Sequence, residues 1–143
     1  MAKLHILYGS HNSRRGYLIA KGPQDLPFLE IYTSPIEGME RSTSTWVTDP
    51  NQTSIPYRTF ISEKYNRALA VGEGDFAILS GKVNPSVGNL QFIIYGDVMD
   101  FDVLLRDVET DLYLTVNRNL LPVFAKLDSN NVQKFIWNTI WVS

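Results

Sequence analysis

The sequence predicts an all-β fold of about twelve strands in three pseudo-repeats. Short apolar segments rich in β-branched and aromatic residues recur every 8–12 residues or so, roughly the spacing of a β-sandwich or barrel, with turn-forming residues between them. No part of the chain sustains a helical period over the length of a helix. A longer pattern also repeats, because three segments end on Trp46, Phe92 and Phe135, which lie roughly 45 residues apart.

Each predicted strand is bounded by Gly, Pro, Asn, Asp or Ser, the residues that favour turns. A single turn of helix is expected near Asp128–Gln133, where an Asp-Ser-Asn-Asn run favours helix caps and turns. The predicted strands are Leu4–Tyr8, Tyr17–Ala20, Phe28–Thr33, Thr45–Thr48, Tyr57–Ser62, Ala68–Val71, Phe76–Leu79, Leu90–Tyr95, Asp102–Arg106, Tyr113–Val116, Val123–Leu127 and Lys134–Ile140.

The 143 residues are expected to form one domain of three repeats, at about 1–50, 51–98 and 99–143. Each repeat supplies four strands, and three such units form a closed barrel capped by hairpins, which leaves no open sheet edge. The three closing aromatics and one leucine from the second strand of each repeat are predicted to be core residues. These six are Trp46, Phe92, Phe135, Leu18, Leu69 and Leu114.

Composition argues against several classes of function. The net charge is −2 with both signs intermixed, so nucleic acid is not an expected partner. The chain has no cysteine and only two histidines, so neither a metal site nor a cofactor is predicted. No apolar stretch approaches 18 residues, and no secretory signal pattern is present. The expectation is a cytoplasmic or non-classically secreted protein without a membrane span.

The closing segments carry a family resemblance. Gln133-Lys134-Phe135 is similar to the Gln-x-Trp/Phe signature of ricin-B-type β-trefoil lectins, a family that includes mushroom lectins and lectin-like proteins. Leu90-Gln91-Phe92 and Ser44-Thr45-Trp46 keep the aromatic of that signature. The resemblance implies a β-trefoil fold and a non-catalytic protein that binds glycans or free sugars.

The resemblance also implies where a sugar would bind. In this family the site uses an acidic residue after the second strand, an aromatic on the third strand and an asparagine beside the closing motif. The acidic position aligns with Ile19, Ala70 and Thr115, so mannose-type recognition is favoured over galactose-type recognition. The third repeat keeps an aromatic together with several polar side chains. The predicted sugar-binding residues are Asn117, Asn119, Phe124, Asp128 and Asn131.

Other interpretations of the same residues remain open. The asparagines and aspartates of the third repeat would also suit hairpin turns. Carboxylates in the segment 97–111 could supply a general acid and base, although their position at a hairpin favours a turn role, and no catalytic residue is predicted. The alternative function is a protein-binding trefoil. A protease inhibitor would use Ser34–Gly38 or Pro50–Pro56, and an accessory subunit of an enzyme would use Trp137 or Trp141.

Overall fold

The computed structural model describes residues 2–10, 13, 16–22, 29–34, 36–48, 57–81, 90–95 and 102–142. These residues contain thirteen strands in one sheet, and every strand pairing is antiparallel. The strands are β1 (Ala2–Tyr8), β2 (Gly16–Ala20), β3 (Leu29–Tyr32), β4 (Trp46–Thr48), β5 (Tyr57–Arg58), β6 (Ile61–Ser62), β7 (Ala68–Val71), β8 (Ala77–Ser80), β9 (Leu90–Ile94), β10 (Asp102–Asp107), β11 (Tyr113–Val116), β12 (Pro122–Ala125) and β13 (Trp137–Trp141).

The predicted strands agree closely with these elements, and two differ. The predicted strand Tyr57–Ser62 is split into β5 and β6, which raises the count above the expected twelve. The predicted strand Lys134–Ile140 begins later, because Val132–Phe135 forms a turn of 3-10 helix and the strand starts at Trp137. That turn overlaps the helical turn expected near Asp128–Gln133 at Val132 and Gln133.

The strands form a barrel closed by hairpins. β1 pairs with β4 and β13, and β10 pairs with β13 and β9. The ring is closed by β5, which pairs with β9, and β6, which pairs with β4. β5 and β6 together therefore occupy one of the six positions of the barrel. The hairpins β2–β3, β7–β8 and β11–β12 cap it. This threefold arrangement of four-stranded units is a β-trefoil. The boundaries expected between the repeats, near residues 50 and 98, lie outside the described residues.

Strand register identifies the equivalent residues of the three repeats. The fourth strand of each repeat places one residue opposite both the first strand of its own repeat and the first strand of the next. The pairs are Trp46 with Leu4 and Ser62, Leu90 with Arg58 and Asp107, and Trp137 with Val103 and Tyr8. Trp46, Leu90 and Trp137 are therefore equivalent, and all three are fully buried in the main core.

The predicted alignment of the closing aromatics was wrong in two repeats. Phe92 lies two residues after the symmetric position and is half-buried, although it still packs against the main core. Phe135 lies two residues before the symmetric position, at the place that Ser44 occupies in the first repeat. It packs in a separate small cluster with Leu104 and Ile136. Phe92 lies on the same face of β9 as Leu90, so hydrophobic alternation could not distinguish the two. Phe135 lies in the 3-10 turn before β13, where strand alternation does not apply.

The predicted leucine layer is confirmed. Leu18, Leu69 and Leu114 are fully buried. Each lies opposite a buried residue on the next strand of its hairpin. The two layers are joined by hydrogen bonds. The indole Nε1 of Trp46 donates to the carbonyl oxygen of Leu18 at 3.1 Å, and that of Trp137 donates to the carbonyl oxygen of Leu114 at 2.9 Å.

Replacing Trp137 with Phe is expected to destabilise the protein by about 2 kcal/mol or more, because the buried carbonyl of Leu114 loses its donor and part of the indole volume is left empty. Denaturant unfolding measures the change. The control is Trp141→Phe, at a residue that is 36% exposed, for which we expect a smaller loss. Equal losses for both variants would contradict the role assigned to the buried indole.

Candidate functional site

An open cleft of about 850 Å³ lies in the third repeat. One wall is the loop between β11 and β12, and the other is the segment 129–134 that leads into β13. Tyr8 and Gly9 at the end of β1 and Tyr95 after β9 also line it. The cleft therefore draws on residues from all three repeats.

The β11–β12 loop is held by its first residue. The side-chain oxygen of Asn117 accepts hydrogen bonds from the backbone N–H groups of Asn119 at 2.8 Å and Leu121 at 3.1 Å. The backbone of Asn117 also bonds that of Leu121. This closure places Leu120 in the left-handed region with φ of 60°, a conformation that is uncommon for a leucine and that Asp75 also adopts in the β7–β8 loop. Leu120 is 40% exposed and lines the cleft.

The opposite wall begins with a turn organised by a carboxylate. Asp128 accepts hydrogen bonds from the backbone N–H of Asn130 at 3.0 Å and from the side-chain Nδ2 of Asn131 at 2.9 Å. These two donors, that of Asn131 foremost, hold the pKa of Asp128 below its usual range because they stabilise the charged form. Asp128 thereby fixes the orientation of Asn131, which lines the cleft.

Both walls are tied to the trefoil core. The hydroxyl of Thr115 on β11 donates to the carbonyl oxygen of Lys134. The backbone N–H of Gly9 donates to the carbonyl oxygen of Ile136 at 3.0 Å. Trp137, the next residue, is bonded to the carbonyl oxygen of Leu114. These bonds connect both walls of the cleft to the strands of the barrel and its hairpins.

The predicted sugar-binding residues do not all reach this cleft. Asn117 and Asn131 line it, and Asp128 lies behind Asn131. Asn119 is exposed at the tip of the loop, away from the lining.

Phe124 was predicted as the aromatic platform, and this was wrong. The side chain is only 2% exposed and lies in the main core. Register places it opposite Leu114, where Ile31 and Leu79 stand opposite the other two leucines. The alternation of β12 turns Phe124 inward, so it cannot stack on a sugar at the surface.

Several lining residues were not predicted: Tyr95, Arg118, Leu120, Gln133 and Lys134. Arg118 lies between two predicted residues, and Gln133 and Lys134 lie in the closing motif, so the local sequence held a signal for these three. Tyr95 follows the last strand of the second repeat, and no pattern near Asn117 or Asn131 points to it. It is the exposed aromatic of the cleft, with 42% of its surface accessible.

Three of the four described carboxylates of the segment 97–111 have structural partners, and the fourth, Glu109, is exposed. Asp102 accepts a hydrogen bond from Asn138 at 3.0 Å, Asp107 accepts two from Thr110, and Asp111 pairs with Arg106. Asp97 and Asp100 lie outside the described residues. Among the residues that the structure describes, no three His, Cys, Asp or Glu side chains group as metal ligands, and no helix is long and apolar enough to cross a membrane.

Of the two tryptophans predicted as a surface for a protein partner, only one is exposed. Trp137 is fully buried and offers no surface, whereas Trp141 is 36% exposed and contacts Phe92 at a ring distance of 6.4 Å. The segment Ser34–Gly38 contains a 3-10 turn at Ile36–Gly38. The segment Pro50–Pro56 lies outside the described residues.

Comparisons by sequence identify no relative, since no family model and no curated protein match the chain. Solved structures match it in fold. The designed threefold-symmetric protein ThreeFoil is 12% identical with a TM-score of 0.72, over 96% of this chain and 97% of that one. SeviL bound to asialo-GM1 saccharide is 18% identical with a TM-score of 0.70, over 98% and 97%. The BEL β-trefoil is 13% identical with a TM-score of 0.67, over 99% and 93%. At these identities the likeness establishes the β-trefoil fold alone.

The Asp128 turn is expected to respond to acid. Its carboxyl group should titrate below the ordinary value of about 3.9, and the turn should keep its hydrogen bonds above that value and lose them as the pH falls through the lowered pKa. Carboxyl carbon shifts followed by NMR would report the titration. Replacing Asn131 with Ala should raise the pKa of Asp128 towards the ordinary value. An unchanged midpoint in that variant would contradict the arrangement.

Proposed function

We propose that this β-trefoil is a non-catalytic carbohydrate-binding protein whose site is the cleft of the third repeat. The observation that carries the proposal is the combination, in one preformed cleft, of amide side chains with exposed apolar surface. Sugars require both, because their hydroxyls need donors and acceptors while their C–H faces pack on aromatic or aliphatic groups.

The polar contacts would come from three amides. Asn131 and Gln133 line one wall, and Asn117 lines the other. The Oδ1 atom of Asn117 is used to close its own loop, and its Nδ2 group has no partner among the described residues, so it can donate to a hydroxyl. Asn119 at the loop tip would contact a sugar residue further along an extended glycan.

The apolar contact would come from Tyr95 and Leu120 instead of the buried Phe124. Both side chains are about two-fifths exposed and line the cleft from different directions. The strained backbone of Leu120 keeps its side chain at the rim, where it gains little from core packing. A sugar ring held against Tyr95 would have the amides of the opposite wall within reach of its hydroxyls.

We further propose mannose-type recognition over galactose-type recognition. The positions that would carry the galactose-binding acid hold Ile19, Ala70 and Thr115, and all three are buried. The hydroxyl of Thr115 is already bonded to the backbone of Lys134. The fold match to SeviL, solved with the saccharide of asialo-GM1, is compatible with a glycan ligand on this architecture.

A glycan array with the purified protein tests this function, and Tyr95→Ala locates the site. Loss of the aromatic contact, worth about 1 kcal/mol, should weaken affinity about fivefold without unfolding the protein. The matched control is Ile94→Ala, since Ile94 is the neighbouring residue, is 51% exposed and does not line the cleft. Isothermal titration gives the affinities. Silence of the array across mannose, galactose and their N-acetyl forms would overturn the proposal.

A further inference from the structure

Two positively charged side chains line the cleft. Arg118 belongs to the β11–β12 loop and Lys134 to the facing wall. Neither forms a salt bridge within the part of the chain that the structure describes, which is also true of Arg41, Arg67 and Lys126, whereas four other basic residues there do. Those pairs are Lys3–Glu63, Lys21–Glu30, Lys64–Glu40 and Arg106–Asp111.

The described lining contains no acidic residue, although the chain as a whole carries a net charge of −2. The nearest carboxylate identified beside the cleft is Asp128, which is not part of the lining. Its two oxygens are occupied by Asn130 and Asn131, although Lys134 is near enough to contribute to its lowered pKa. No carboxylate is identified beside Arg118 among the described residues, so the described lining carries positive charge in a protein whose net charge is negative.

We infer that the ligand of this cleft is a glycan bearing an anionic group, a phosphate, sulfate or carboxylate, held between Arg118 and Lys134. The inference rests on the proposed carbohydrate-binding function and specifies its ligand class. A guanidinium offers a planar fork that matches the oxygens of such groups, and an ammonium adds a point charge from the other side. The sugar ring would lie against Tyr95 and the amides.

The backbone segments that carry the two cations are held by hydrogen bonds within the protein. Arg118 follows Asn117, whose side chain closes the loop with two hydrogen bonds. The backbone of Lys134 is fixed by the hydroxyl of Thr115. A ligand that bridges them therefore does not have to order the backbone of either wall, which favours affinity.

The pair of charges is incomplete in each of the other repeats. The β7–β8 and β11–β12 loops have equal lengths, and counting from Val71 and Val116 places Glu73 where Arg118 stands. Counting back from Trp46 and Trp137 places Thr43 where Lys134 stands. The second repeat thus carries the opposite charge at the first position, and the first repeat is neutral at the second. Anion recognition is a property of the third repeat.

Matched pairs of sugars with a common ring test the inference. The pairs are mannose with mannose 6-phosphate, galactose with galactose 6-sulfate, and glucose with glucuronic acid, titrated calorimetrically at low and high salt. We expect the affinity for at least one charged sugar to be about tenfold higher than that for its neutral partner, or higher still. The preference should shrink as salt screens the charges. The pair that responds identifies which anionic group the cleft prefers.

Arg118→Gln and Lys134→Gln should each reduce that preference, and the double variant should abolish it while binding of the neutral sugar persists. Lys126→Gln is the control, because Lys126 is exposed and lies outside the cleft. Equal affinity within every pair, or variants that behave like Lys126→Gln, would overturn the inference and leave the carbohydrate-binding proposal standing. Inorganic phosphate that binds as tightly as mannose 6-phosphate would also overturn it. Failure of every sugar, charged or neutral, would instead remove the proposed function itself.

Discussion

Two buried indole N–H groups connect the barrel to the hairpins that cap it. Each donates a hydrogen bond to the backbone carbonyl of a buried leucine on the first strand of a hairpin. Trp137 lies opposite both Val103 and Tyr8 and so joins the last strand to two others, as Trp46 does with Leu4 and Ser62 in the first repeat. The bond of Trp137 to Leu114 fixes the start of β11 relative to β13. The two walls of the cleft continue from those strands, so the geometry of the site follows from the position of one core side chain.

The repeats differ most where the core does not constrain them. The equivalents of Trp137 are Trp46 and Leu90, which are all large, apolar and fully buried. The hairpin loops are free of that requirement, and they carry residues of opposite charge at the same position in two repeats. A trefoil core thus accepts loops of any chemistry, and for this reason a shared fold does not identify a ligand.

Much of the fold could be predicted from the sequence, and less of the site. Alternation and turn residues located the strands, and the leucine layer represented by Leu114 is read correctly because it recurs at the same place in every hairpin. The closing aromatics were aligned incorrectly, because Phe135 is a large buried side chain that lies two residues before Trp137, the position equivalent to Trp46. Phe124 looked like a binding aromatic because exposure depends on register, which a single sequence does not state. Tyr95 enters from another repeat, and only the folded chain brings it near Asn117.

Because the cleft is lined by residues from all three repeats, repeating one of them would not reproduce its full lining. The backbone N–H of Tyr95 donates to Asp102, and that of Val142 donates to Lys3, each at 2.8 Å, so these two donors are equivalent. In a symmetric protein made from three copies of the third repeat, each cleft would therefore receive Val142 in place of the tyrosine. It would also receive Asp107 in place of Tyr8, which brings a carboxylate to its floor. Three copies of the third repeat would keep both walls of the cleft but lose the two tyrosines that line it, because those tyrosines come from the neighbouring repeats.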